Sequence, residues 1–211
     1  MIVSSSRQKA LEHAINDNND LIIFDDGLQE KAIDYNLKIV CFNSKNWIGN
    51  GQLFPAGALR EKIVSLKKYD AVFLNGNSTN NDEIKRTIHE INPKIIIFET
   101  KYVPINLKNI DFSNKFLAFS GIGNSHSFKE TLTDNNIKII KEINYPDHYD
   151  YKKKDIANIK REAKIINAKI ITTEKDYVKL SVEDKAEISF LEIGVKIDNE
   201  DKLINFIKKH I

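Results

Sequence analysis

Short apolar runs alternate with amphipathic ones along the whole chain. LIIF (21–24), LKIVCF (37–42), DAVFLN (70–75), KIIIFE (94–99), KFLAFS (115–120), IKIIKEI (137–143), KIITT (169–173) and ISFLEI (188–193) are dominated by Ile, Val, Leu and Phe. Continuous apolar runs of this length predict strands buried on both faces. Between them, SRQKALEHAIND (6–17), NDEIKRTIHEI (81–91), SHSFKETLTD (125–134) and KKDIANIKREAKII (153–166) read as amphipathic helices. Strands separated by helices predict an α/β fold, with a mainly parallel sheet or sheets covered by helices on both faces. The segment NSKNWIGNGQLFPAGALREK (43–62) breaks the pattern: it holds Gly49, Gly51, Gly57 and Pro55 and has no apolar period. A long irregular stretch inside such a chain marks a functional loop or a boundary. It predicts a division near residue 65, into domains 1–65 and 66–211.

Composition narrows the function classes. The chain has 211 residues, 41% of them hydrophobic, enough to bury a core as one domain or two small ones. Its 32 basic residues are interleaved with 30 acidic ones for a net charge of +2, so there is no electrostatic case for nucleic acid as a partner. The single cysteine, Cys41, lies in an apolar run. It reads as a small buried hydrophobe with no internal disulfide, which fits a reducing cytoplasmic compartment. No apolar stretch is long enough to span a bilayer, and MIVSSSRQKALEHA lacks the apolar core of a signal peptide. Peripheral attachment to a membrane surface stays open.

Candidate chemistry gathers where strands end, because ligands of open α/β sheets collect at the carboxyl ends of strands. IIFDDGLQE (22–30) ends an apolar run in Asp25 and Asp26. Such carboxylates hold magnesium in many phosphoryl-transfer proteins, and DDG is equally a good turn. GNGQLFPAGALRE (49–61) offers backbone that can approach a ligand closely. In the same segment Arg60 suits a phosphate or carboxylate and Glu61 a metal or a proton. FSGIGNSHSFKE (119–130) places two glycines before a helix, as phosphate-binding turns do, while Ser127 and Glu130 read as a capping box that makes it a structural turn. YPDHYDY (145–151) sets His148 beside Asp147, a pair suited to proton transfer near neutral pH. Thr172, Thr173, Glu174, Lys175 and Asp176 in IITTEKDYVKL (170–180) either contact a ligand or cap the next turn.

In this order and spacing, DDGLQ, GNGQLFPAGALRE, FSGIGN, YPDHYDY and ITTEKDYVKL together resemble the tetraacyldisaccharide 4'-kinases, the lipid A 4'-kinases of Gram-negative bacteria, from about Val3 onward. The resemblance implies a kinase using ATP and Mg2+ to phosphorylate the 4'-hydroxyl of a tetraacylated glucosamine disaccharide, the lipid A precursor, at the cytoplasmic face of the inner membrane. It implies that Asp25 and Asp26 are Walker B carboxylates that hold the metal together with Glu61, and that Gly27, Gln29 and Arg60 lie near the nucleotide. His148 matches the histidine of the family's PDH motif, with Asp147 beside it. The implied architecture is a P-loop-kinase-like portion followed by a Rossmann-like domain. Two departures stand out. Glu30 replaces the family's usual histidine after DDG-Q, and no GxxxxGK[ST] phosphate-binding segment occurs in the 211 residues. The second departure predicts an amino-terminally truncated, inactive and poorly soluble kinase. The alternative is a non-catalytic α/β ligand-binding module derived from one.

Overall fold

The structure is a computed structural model that describes residues 1–76 and 80–210. It separates into two compact units, Met1–Lys101 with Lys196–Ile211, and Tyr102–Val195. Position 65, expected near a boundary, lies inside the first unit, in a 3-10 helix over Ile63–Lys68. That helix brings Leu66, 2% exposed, into the same apolar cluster as the following strand, so no break in packing occurs there.

The chain opens with α1 (Arg7–Asn16), capped by the Ser6 hydroxyl, which accepts from the Lys9 amide. The first sheet contains β1 (Ile39–Asn43), β2 (Ala71–Asn75), β3 (Ile96–Pro104) and β8 (Ile193–Ile197), in the order β1-β2-β3-β8. β1 pairs with β2, and β2 with β3, in parallel. Side chains of a strand alternate between faces, and both faces here are used. Val72 and Leu74 pack with Ile84 and Ile88 of α2 (Asn81–Ile91), while Ala71 packs with Leu203 and Phe206 of α7 (Glu200–Lys208).

The second unit repeats this logic. β4 (Lys115–Ser120), β5 (Lys138–Asn144), β6 (Lys169–Thr173) and β7 (Ile188–Leu191) form a sheet in the order β5-β4-β6-β7, parallel at each pairing. Phe116 and Ala118 of β4 face Phe128 and Leu132 of α3 (Ser125–Asp134). Leu117 and Phe119 face Ile156, Ile159 and Ala163 of α4 (Lys153–Ile165). Short helices α5 (Glu174–Tyr177) and α6 (Val182–Lys185) connect β6 to β7. The α/β fold with mostly parallel sheets and helices on both faces is therefore what the chain adopts. One expected strand is absent: LIIF (21–24) has no ladder partner and runs as irregular backbone with Ile23 84% exposed.

An ion-pair cluster on α4 supplies a pH-dependent contribution to this unit. Lys160 pairs with Asp184 at 2.9 Å and Glu187 at 2.7 Å. Lys160, and then the Ser181 hydroxyl, hold the Asp184 carboxyl below its ordinary range. A depressed folded-state value stabilises the fold above the unfolded value and is lost as pH falls through the depressed one. Melting temperature should therefore drop below about pH 4, and K160Q should flatten that drop in a pH series of thermal melts.

Candidate active site

The DDG segment is a surface turn, not the end of a buried strand. Asp25 and Asp26 are exposed, and Asp26 adopts a left-handed backbone (φ 55°), a conformation short polar side chains tolerate. Three contacts fix the turn. Tyr35 donates its hydroxyl to the Gly27 carbonyl at 2.8 Å, Arg7 donates to the Asp26 carbonyl at 2.8 Å, and the Glu30 amide donates to the Gly27 carbonyl at 2.9 Å. Gly27 is buried, and an added Cβ would sit 2.9 Å from Phe24 Cβ and 3.0 Å from Tyr35 Oη. Gln29 is exposed. Nothing in the sequence pattern marks Arg7 or Tyr35, because each acts across loop sequence with no periodic signal. Cys41, expected to be buried, is exposed on β1. Local desolvation pushes its thiol pKa up, and the Asp25 charge adds to the rise.

The glycine-rich segment folds back on itself. The Phe54 amide donates to the Leu59 carbonyl at 2.8 Å, the Gly57 amide to the Leu53 carbonyl at 3.0 Å, and the Asn50 side-chain amide to the Ala56 carbonyl at 2.9 Å. This loop presents Arg60 to Asp26, and the guanidinium and carboxylate form an ion pair with side chains 62% and 54% exposed. The two segments 34 residues apart in sequence thus meet through opposite charges, which offsets the repulsion between the adjacent aspartates. Glu61 turns the other way, toward Tyr69. Burial, and then the Glu61 carboxylate, push the Tyr69 hydroxyl up to about 12. Among the described residues no group of three or more His, Cys, Asp and Glu side chains is placed to hold a metal, so Asp25, Asp26 and Glu61 do not form a three-carboxylate cage. The loop tolerates no side chain at Gly57, where a Cβ would lie 2.2 Å from Asn50 Oδ1 and 2.3 Å from the Gln52 carbonyl oxygen. Gly57→Ala should cost about 1–3 kcal/mol of stability, read as a lowered urea midpoint.

In the second unit the segments after β4, β5 and β6 come together. Asn124, not Ser127, caps α3, accepting from the Ser127 amide at 3.0 Å. The expected cap at Ser127 gives way to one three residues earlier, because Ser127 already lies within the helix. A Cβ on Gly121 would meet Tyr151 Oη at 2.8 Å and Tyr149 Cβ at 3.2 Å, so this turn is closely packed against YPDHYDY. His148 is 77% exposed in its side chain, with a left-handed backbone (φ 59°). Its Nε2 lies 3.9 Å from Asp147 Oδ2. Lys175 donates to Asp147 Oδ1 at 3.3 Å. Burial pushes the Asp147 carboxyl up, but Lys175, with help from His148, outweighs it and the net direction is down. Of the two readings of the TTEKD segment, capping is seen at Thr173, whose hydroxyl accepts from the Asp176 amide. Asp176 itself is fully buried, ion-paired with Lys179 at 2.9 Å. Tyr151 and Lys179, which the sequence pattern did not single out, complete this cluster.

Comparison with known proteins agrees with the motif order. The chain is 48% identical over 203 residues to the tetraacyldisaccharide 4'-kinase of Pelagibacter ubique, covering 96% of this chain and 65% of that protein. It is 38% identical over 185 residues to the tetraacyldisaccharide 4'-kinase of Rickettsia typhi, covering 87% of this chain and 56% of that one. The chain therefore spans less than two thirds of the length of either relative. A crystal structure of LpxK from Aquifex aeolicus, an "apo" form in complex with ATP, shares the fold at a TM-score of 0.58 and 24% identity, over 88% of this chain and 56% of that one. The family model for tetraacyldisaccharide-1-P 4'-kinase, LpxK, matches residues 1–211, and the chain belongs to that family.

Proposed function

We propose that this chain carries the greater part of an ATP-dependent kinase that phosphorylates the 4'-hydroxyl of a tetraacylated glucosamine disaccharide in lipid A biosynthesis, working peripherally at the cytoplasmic face of the inner membrane. The observation that carries the reading is the Asp26–Arg60 ion pair, which joins the DDG turn to the GNGQLFPAGALRE loop in a chain of this family. In the first unit, Asp25 and Asp26 are hard oxygen donors, and magnesium bound with nucleotide needs only one or two carboxylates beside phosphate and water. The pair fits that need without Glu61, whose carboxylate is engaged with Tyr69. When bound, the ion would neutralise charge on the phosphates. Arg60 sits beside the same carboxylate, suited to an ATP phosphate, with Gly27 and Gln29 in the turn that presents them.

In the second unit, His148 is the general base. Its exposed imidazole takes the proton of the 4'-hydroxyl as that oxygen forms its bond to the γ-phosphorus, and the bond from phosphorus to the β-phosphate bridge breaks to release ADP. Asp147 orients the ring and balances the charge it gains. No helix among the described residues is long and apolar enough to cross a membrane, so the reading places the lipid substrate at a surface contact.

The test uses radiolabelled ATP, magnesium and the tetraacyldisaccharide 1-phosphate in detergent micelles. Because the 211 residues hold no GxxxxGK[ST], the protein is assayed alone and joined after the amino-terminal part of the Pelagibacter relative. Transfer to the 4'-position by the joined form and none by the chain alone is the expected result. A folded joined form that binds the disaccharide without magnesium and leaves ATP intact would establish the non-catalytic module instead.

A further inference from the structure

Asp176 is used by nothing in the reading above, yet three donors meet its carboxylate. It is 0% exposed. Its Oδ2 accepts from the Gly121 amide at 2.8 Å and from the Thr173 hydroxyl at 2.8 Å, and its Oδ1 accepts from Lys179 Nζ at 2.9 Å. A buried carboxylate is tolerated only when its lone pairs are met this fully. The Tyr151 hydroxyl lies buried beside it without a hydrogen bond of ordinary geometry. Gly121 is bonded in two directions. Its amide is held by Asp176, and its carbonyl accepts the His148 amide at 3.2 Å.

We propose that Asp176 is a positioning residue for His148, acting through the two-way hydrogen bonding of Gly121; the proposal rests on the reading of His148 as the base. A left-handed backbone at a non-glycine residue costs free energy and persists only where neighbours over-determine it. At His148 those neighbours are the Gly121 carbonyl and the Asp147 carboxylate, which accepts the same amide at 2.9 Å. Both lead back to one turn of chain. Asp176 fixes Gly121, and Lys175, the residue before it, donates to Asp147. Gly123 closes against Asp147 from the other side, where a Cβ would lie 3.1 Å from Oδ2. The short helix α5 thereby sets both the backbone and the acidic neighbour of the imidazole.

A buried carboxylate that merely holds the fold would give a different pattern from one that aims a loop. Asp176→Asn keeps an acceptor for the Gly121 amide but replaces a charge-assisted bond with a weaker neutral one. K179M is no clean control, because Lys179 also donates to the Tyr149 carbonyl at 3.2 Å, next to His148. Y151F removes the hydroxyl beside the carboxylate and leaves both Gly121 bonds in place. In nitrogen-15 spectra of the chain, D176N should move the Gly121 amide proton upfield and shift the His148 amide and ring signals, while Y151F leaves the His148 signals where they were. D176A, if it folds, should enlarge the His148 shifts, and D176N should partly restore them. Unchanged His148 signals in D176N, or equal shifts in D176N and Y151F, would overturn the proposal. In the joined, active form, D176N should lower kcat by up to about 10²-fold with the KM for ATP unchanged. If H148A leaves transfer intact, the reading of His148 as base fails, while the spectral coupling between Asp176 and His148 is still decided by the D176N spectra.

Discussion

Replacing His148 by alanine in the joined, active form should lower kcat by about 10²–10⁴-fold, the range that a positioned general base contributes, with the KM for ATP little changed. The alanine variant carries a second effect that has to be separated. His148 sits at φ 59°, and alanine tolerates left-handed backbone poorly, at a cost on the order of 1–2 kcal/mol. Asparagine adopts that conformation readily, so His148→Asn removes the imidazole while sparing the loop. The side chain is 77% exposed, so the asparagine variant should melt with the parent. Equal losses of kcat in both variants would assign the effect to the ring, and near-normal turnover in His148→Asn would remove His148 from the chemistry.

The second large effect is at Asp26. Asp26→Asn should lower transfer on the order of 10²–10³-fold, as the loss of a preorganised charge at a transferring group does, and weaken the dependence on magnesium concentration. Its stability cost should be small. The Asp26–Arg60 pair has side chains 54% and 62% exposed, and exposed pairs contribute about 0–1 kcal/mol. A urea titration beside the kinetic assay reads both quantities. A large fall in the urea midpoint with transfer preserved would make the pair a structural clasp between two loops and nothing more.

The parts of this fold legible from sequence are those where burial leaves only one reading. KFLAFS has apolar side chains on both faces, and in the structure those faces meet α3 and α4. LIIF is also an apolar run and predicts a strand, but a ladder needs a partner, which apolar character does not supply. Its Asp25 and Asp26 consequently lie in a turn held by Tyr35 and Arg7, contacts made across loop sequence without a period. Helix α7 could have been read. Leu203, Phe206 and Ile207 stand at helical spacing after Asn199, which caps the helix by accepting from the Lys202 amide. At the second cluster, His148 and Asp147 were visible as residue types beside a proline. The burial of Asp176 is not visible, because a carboxylate in TTEKD reads as solvated until the pairing of β4 with β6 brings the Gly121 amide to it, beside its local partner Lys179.

Among the described residues β1 lies at one end of the first sheet and has a ladder partner on one side only, with Ile39, Val40 and Phe42 partly buried along it. A strand open on one flank can accept a further strand. For this protein the consequence is kinetic: loss of soluble material should follow the square of concentration if it begins by pairing along β1, and the first power if it begins by unfolding. A dilution series of light-scattering onset times separates the two, and a charge placed at the exposed Cys41 should slow only the former.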